Sequence, residues 1–181
     1  IDADVDYLER AKFRMEELYT NAPVKVVFAN VLPERHIAFD LKIHNQNQVE
    51  ISNIIGVEKA KKAYLININD SLVLQSETLK FYSTPRMGKG WVGKSIRVVK
   101  NPMSSKVAFY RSNLGIKQDE ETASILTLAL KDGNGTRAED FLNTLITVYN
   151  EQAIADKNQI SVNSSNFIEE RLKIIEAELG G

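Results

Sequence analysis

The chain has no cysteine among its 181 residues, so it can form neither a disulfide nor a thiolate metal site. That absence is compatible with a reducing cytosol or with a bacterial periplasm and does not choose between them. Neither sign of charge is in excess: 23 basic residues stand against 24 acidic ones. A dedicated nucleic-acid binder carries a basic surplus, so no nucleic-acid partner is expected. No apolar run approaches the roughly 20 residues that span a bilayer, and no signal peptide stands at the start. The opening on Ile1 and the close on Gly180-Gly181, directly after a helical pattern, read as the cut ends of a larger protein.

The chain has only two histidines. His36 and His44 share one parity of one strand and sit too far apart to ligate a single metal. Asp119-Glu120-Glu121 lacks the alternating ligands of a calcium loop and reads as a solvated acidic loop. Three Asn-x-Ser/Thr triplets, at Asn69, Asn134 and Asn163, read as chance matches in an asparagine-rich chain. No Ser/His/Asp or Cys/His set is visible, so no catalytic residue, metal or cofactor is expected in this chain.

What is present reads as an α+β fold. Residues 3–19 carry Val5, Leu8, Met15 and Leu18 near one face at helical spacing, which predicts a short N-terminal helix ended by Asn21-Ala22-Pro23. From residue 24 the period changes to two. Ile37, Phe39, Leu41 and Ile43 alternate with Ala38, Asp40, Lys42 and His44, Asn45 to Gln48 form a turn, and Val49 and Ile51 resume, predicting a hairpin. Tyr64 to Ile68, residues 78–82, 95–99 and 107–110 read as further strands of a mostly antiparallel sheet. A final strand through Ser124, Leu126, Leu128 and Leu130 leads to Lys131-Asp132-Gly133-Asn134-Gly135.

Thr136-Arg137-Ala138-Glu139 then has the form of a capping box. No Gly or Pro follows until Gly180, and apolar residues from Phe141 to Ile175 recur at helical spacing. One continuous helix over 136–179 would be roughly 65 Å long at about 1.5 Å per residue. Ser161 to Asn166 is a run of poor helix formers, and two helices with a kink there are the alternative. The division is thus 1–131, mainly sheet, and 136–179, helix, within a single domain-sized fragment of 1–181.

The stretch GKGWVGKS, Gly88 to Ser95, matches the phosphate-loop pattern GxxxxGK[ST] letter for letter. In a nucleotide-binding enzyme Gly88 and Gly93 would shape the loop, and Lys94 and Ser95 would hold phosphate and Mg²⁺. Asp132, at the end of an apolar strand, imitates the Mg²⁺-binding aspartate of such enzymes. A working loop follows a buried strand and opens a helix whose N-terminus faces the phosphates. Here Ser95 to Lys100 alternates with period two and Asn101-Pro102 stops it, so the context predicts a glycine-rich strand connection with Trp91 packed nearby.

One resemblance reaches function. The strand SILTLALKD, a turn, then RAEDFLNTLI, YNEQ, DKN and FIEERL resemble the chain-length-determinant family of bacterial polysaccharide co-polymerases, the Wzz-type proteins. The likeness is nearest to the subgroup that often carries a cytoplasmic tyrosine kinase domain. It covers about the last sixty residues strongly, and LKFYSTP, SIRVVKNP and VAFYRSNLGI more weakly. The family's usual proline before this helix is replaced by Gly133-Asn134-Gly135, and the membrane spans and kinase domain are absent. The resemblance implies a periplasm-facing domain of an inner-membrane scaffold. It implies homo-oligomers that set the chain length or export of capsule, O-antigen or exopolysaccharide beside the polymerase or export machinery. It also implies that the nucleotide loop lies in a separate cytoplasmic domain. The alternatives are a nucleotide-binding enzyme using Gly88 to Ser95 and a helical adaptor that docks a partner through 136–179.

Overall fold

The computed structural model describes residues 3–11, 14–58, 62–118 and 125–180. The acidic triplet 119–121 and Ser124 lie outside the described residues. Residues 2–137 form one compact unit, and the helix from Ala138 onward forms another.

The first unit is built on two antiparallel sheets packed face to face. The larger has six strands. Its order runs from β2 (Met15–Glu17) through β1 (Val5–Arg10), β9 (Ser95–Lys100), β4 (Ile37–Asn45) and β5 (Gln48–Ile55) to β6 (Ala63–Asn67). The smaller has the order β3 (Val24–Ala29), β8 (Glu77–Ser83), β7 (Ser71–Leu74). Alternation dictates the packing, because successive strand side chains point to opposite faces. Ile37, Phe39, Leu41 and Ile43 of β4 and Ile96 and Val98 of β9 are buried against Val24, Val26, Leu79 and Phe81 of the small sheet. Phe39 and Phe81 meet edge to face across the two layers, with ring centroids 6.4 Å apart. The β4–β5 hairpin forms where its alternation and Asn45-to-Gln48 turn place it, and the Asn45 side chain accepts the Asn47 N–H at 2.9 Å.

At the edge of the small sheet, the Tyr7 hydroxyl reaches across from β1. It accepts the Val26 N–H at 2.8 Å and donates to the Val26 carbonyl at 3.4 Å. At one end of the sandwich Lys100 is buried and its ammonium is satisfied by Asp4 at 2.7 Å and by the Pro33 and Asn101 carbonyls.

The fold class is α+β, with antiparallel sheets and a long C-terminal helix, and two local expectations are corrected within it. No N-terminal helix spans 3–19: the segment is β1, β2 and a single 3-10 turn at Tyr19–Asn21. Val5 and Tyr7 alternate into the core while Leu8 and Met15 face elsewhere, so the apparent helical stripe is coincidental. The pairing of β1 with β9, Val5 opposite Lys100, overrides the local pattern. Residues 107–110 are likewise not a strand but part of α1 (Met103–Asn113). Its start has no side-chain cap of its own. The Met103 N–H donates to the Pro33 carbonyl at 3.0 Å and the Ser104 N–H to the Glu34 carboxylate at 3.1 Å, partners that a local reading does not reveal.

A separate two-stranded sheet pairs β10 (Leu114–Gln118) with β11 (Leu126–Leu130), Leu114 opposite Leu130. It leads to α2, which runs from Gly135 to Leu179 as one helix of 45 residues without interruption at Ser161 to Asn166. Within that run the Ser161 hydroxyl donates to the Lys157 carbonyl at 3.0 Å, and Gln159 donates to Asn163 at 2.9 Å. These one-turn bonds keep the polar side chains on the helix surface.

Candidate functional site

The loop Gly88 to Ser95 connects β8 to β9. It contains one 3-10 turn, Lys89–Trp91, and passes straight into a strand. A phosphate cradle needs free backbone N–H groups converging on one point. Here the Trp91, Val92 and Lys94 N–H groups donate to Gly88, Lys89 and Trp91 carbonyls of the loop itself, and the Gly93 N–H donates to Ile43 at 2.7 Å. Lys94 lies 4.8 Å from the Trp91 ring centroid and pairs with Glu9 at 3.2 Å. Gly88 and Gly93 would each meet nothing within 4 Å if they carried a Cβ, so no close approach demands either glycine. The loop has the letters of a nucleotide site and the bonding of a strand connection.

The densest chemistry of the unit lies elsewhere, around Arg137. The Asn134 side chain accepts the Arg137 N–H at 3.0 Å, so Asn134 caps the helix in place of the expected Thr136. Asn134 also donates to the Glu17 carbonyl at 3.3 Å. The guanidinium of Arg137 then reaches three carboxylates. Asp132 receives two bonds, at 3.1 and 2.8 Å; Asp6 of β1 lies at 3.0 Å; Glu17 of β2 lies at 3.7 Å. Lys106 of α1 adds a second cation on Asp6, at 2.7 Å. The Asp132 side chain is wholly inaccessible, and Arg137 and Glu17 are each 10 % exposed. Asp132 is therefore bound to an arginine rather than presented to a cation. Beside the cluster a cleft of about 550 Å³ opens, lined by Asp6, Glu17, Lys106, Phe109, Gly133 and Arg137 among others.

Burial and pairing pull these groups in opposite directions. Burial raises the Glu17 carboxyl above its usual value, against the N–H donations from Tyr7 and Tyr19 and the charge of Arg137. Burial also pushes Asp132 upward, but hydrogen bonds from Arg137 and the Asn134 N–H outweigh it and leave the carboxyl below its usual value. Arg137 is desolvated as well, yet its bonds to Asp132 and the charges of Glu17 and Asp6 raise it further. Burial lifts the Tyr110 phenol, which sits within the field of the same groups.

A pH dependence follows from the signs. Glu17 stabilises the fold fully below its usual 4.5, and that contribution is lost as pH rises through its raised value. Asp132 stabilises above its usual 3.8, and that contribution is lost as pH falls through its lowered value. Lowering the pH from neutral toward 4.5 is thus expected to increase stability through Glu17. Glu17→Gln should remove that gain in urea unfolding curves, and an unchanged slope would show that Glu17 does not titrate in this window.

The other candidates are placed as follows. His44 bonds Glu50 at 2.9 Å on the solvated face of the large sheet, and His36 is exposed ahead of β4. No group of three His, Asp or Glu positioned for a metal occurs among the described residues. On α2, Ile146, Ala153, Ile160, Phe167 and Ile174 recur at seven-residue spacing, which keeps them on one face. Ile160, Phe167 and Ile174 are 65 %, 60 % and 49 % exposed. Among the described residues no helix is long and apolar enough to cross a membrane. No protein-family model matches this chain. No curated protein matches it either.

Proposed function

We propose that this chain is the periplasm-facing scaffold domain of a bacterial inner-membrane polysaccharide co-polymerase, controlling chain length or export by self-association rather than by bond chemistry. The observation that carries the reading is α2: a 45-residue uninterrupted helix with an apolar row at seven-residue spacing, of which Ile146, Ile160, Phe167 and Ile174 are exposed. An apolar row of this kind favours a partner helix, because exposed apolar surface is stabilised when covered. The resemblance of the same segment to the co-polymerase family supplies the biological setting and the polymerase or export machinery as neighbours.

This chain has no cysteine of its own, so a cysteine introduced into it reports on its own position. Single Ile160→Cys and Phe167→Cys substitutions in the parent protein, cleared of any other cysteine and oxidised in its native membrane, are each expected to give a disulfide-linked dimer. Glu169→Cys, about half a turn round the helix from both, should cross-link much less. Monomer alone at all three positions would sink the scaffold reading. A single cross-link to a different protein would favour the helical adaptor instead.

A further inference from the structure

The face of the six-stranded sheet that points away from the core carries a second cleft, about 610 Å³, at the β1–β9–β4 junction. Strand register builds it. Leu8 lies opposite Arg97, and Arg97 lies opposite Asp40, so one row crosses three strands. Arg10 lies opposite Met15 at the next outward-facing position of β1. The cleft is lined by Arg10, Arg14, Arg97, Ser95, Leu8 and Met15, with Asp40 as its carboxylate.

The three guanidiniums are not equally committed. Arg14 is neutralised by Glu16, which accepts from its Nε at 3.1 Å and from its Nη2 at 3.0 Å. Arg97 donates one nitrogen to Asp40 at 2.7 Å, and Asp40 is further satisfied by Asn53 at 2.7 Å. The remaining Arg97 nitrogens have no partner among the described residues. Arg10 and the Ser95 hydroxyl have none there either. The cleft therefore holds an uncompensated guanidinium, a second one fixed in orientation by a carboxylate already satisfied elsewhere, and a hydroxyl donor. Planar guanidinium forks match carboxylate and phosphate oxygens in pairs of parallel bonds.

The geometry points to an oxyanion site in this cleft, taking a carboxylate or phosphate group between Arg10 and Arg97 with Ser95 as a third donor. Leu8 and Met15 form an apolar wall beside it, on which the body carrying the anion would rest. The site does not depend on the scaffold reading.

The test is an amide-shift titration of this chain with inorganic phosphate and, separately, with trigalacturonate. The expected result is saturable movement of the Ser95 and Arg97 signals with at least one probe. Arg10→Gln should weaken that binding about tenfold, the loss of one charge-assisted contact. Response to phosphate alone identifies a free anion as the ligand; response to trigalacturonate alone identifies a carboxylate on a larger body. Non-saturating shifts with both probes, or unchanged affinity in Arg10→Gln, would overturn the site. Arg10 holds no partner that the fold requires, and Ser95→Ala, expected to give a smaller loss, serves as the second variant should Arg10→Gln fail to fold.

Discussion

Arg137→Met is expected to lower the unfolding free energy of the sheet unit by about 3–5 kcal/mol, the range for removing one partner of a buried ion pair. The size follows from what is left behind. Asp132 has no access to solvent, Asp6 and Glu17 have little, and all three carboxylates face the guanidinium. Methionine replaces the volume and none of the charge, so Asp132 loses both of its arginine bonds at once. Lys106 still neutralises Asp6, which keeps the loss from being larger. Arg137→Lys should recover only part of it. A single ammonium cannot give Asp132 two parallel bonds while also reaching Asp6 and Glu17. Urea unfolding followed by circular dichroism, at one pH, measures both variants. A loss below about 1 kcal/mol for Arg137→Met would place these contacts with exposed ion pairs instead.

Gly56→Ala should be comparably damaging by a different route. Gly56 has φ +87°, and a Cβ built there would lie 1.9 Å from the His36 carbonyl oxygen. The obstruction is backbone, at the entry to β4, so no side chain can rotate away. Backbone strain of this kind costs about 1–3 kcal/mol, and forced overpacking adds about as much again. The disturbance does not stop there. Arg35 donates to the Gly56 carbonyl at 2.8 Å and to Glu77, which is buried, at 2.6 Å. Moving Gly56 therefore pulls on the pair that neutralises Glu77. Gly93→Ala is the control: its φ is +83° but its surroundings are empty, so it should cost only the left-handed penalty of about 1–2 kcal/mol. Equal melting shifts for the two variants would show that the contact with His36 is not what matters at Gly56.

The sequence shows the elements that are stabilised by their own alternation and hides those stabilised from afar. The β4–β5 hairpin, β6, β8, β9, β11 and the long helix carry periodicity long enough to read. The first strands do not. Val5, Leu8, Met15 and Leu18 fit a helix, and only the pairing of Val5 with Lys100 makes β1 a strand. Helix α1 was hidden because the groups that receive its first N–H donations, Pro33 and Glu34, come from another loop. Strands β7 and β10, short and with little alternation, gave no signal.

The Arg137 cluster was legible only in fragments. In the sequence Asp132 imitates a magnesium ligand and Arg137 is one letter of a capping box. Asp6 and Glu17 fall within residues 3–19, where the spacing predicts a helix and the structure has β1 and β2. No spacing rule joins residues 6, 17, 106, 132 and 137, because the sheet brings them together. A usable clue was the Asp132-to-Arg137 spacing across a glycine turn, which allows a carboxylate and a guanidinium to close on each other at a helix start.

The Tyr7 hydroxyl settles what the rim of the small sheet can do. Strand β3 ends that sheet, and an end strand normally offers its outward N–H and carbonyl to any passing extended chain. Near the middle of β3, both groups of Val26 are already engaged by one phenol from another strand. A newcomer would find the run of donors and acceptors interrupted at its midpoint. One tyrosine thus keeps β3 from taking up a further strand at its midpoint, without a charged residue or a proline at that position.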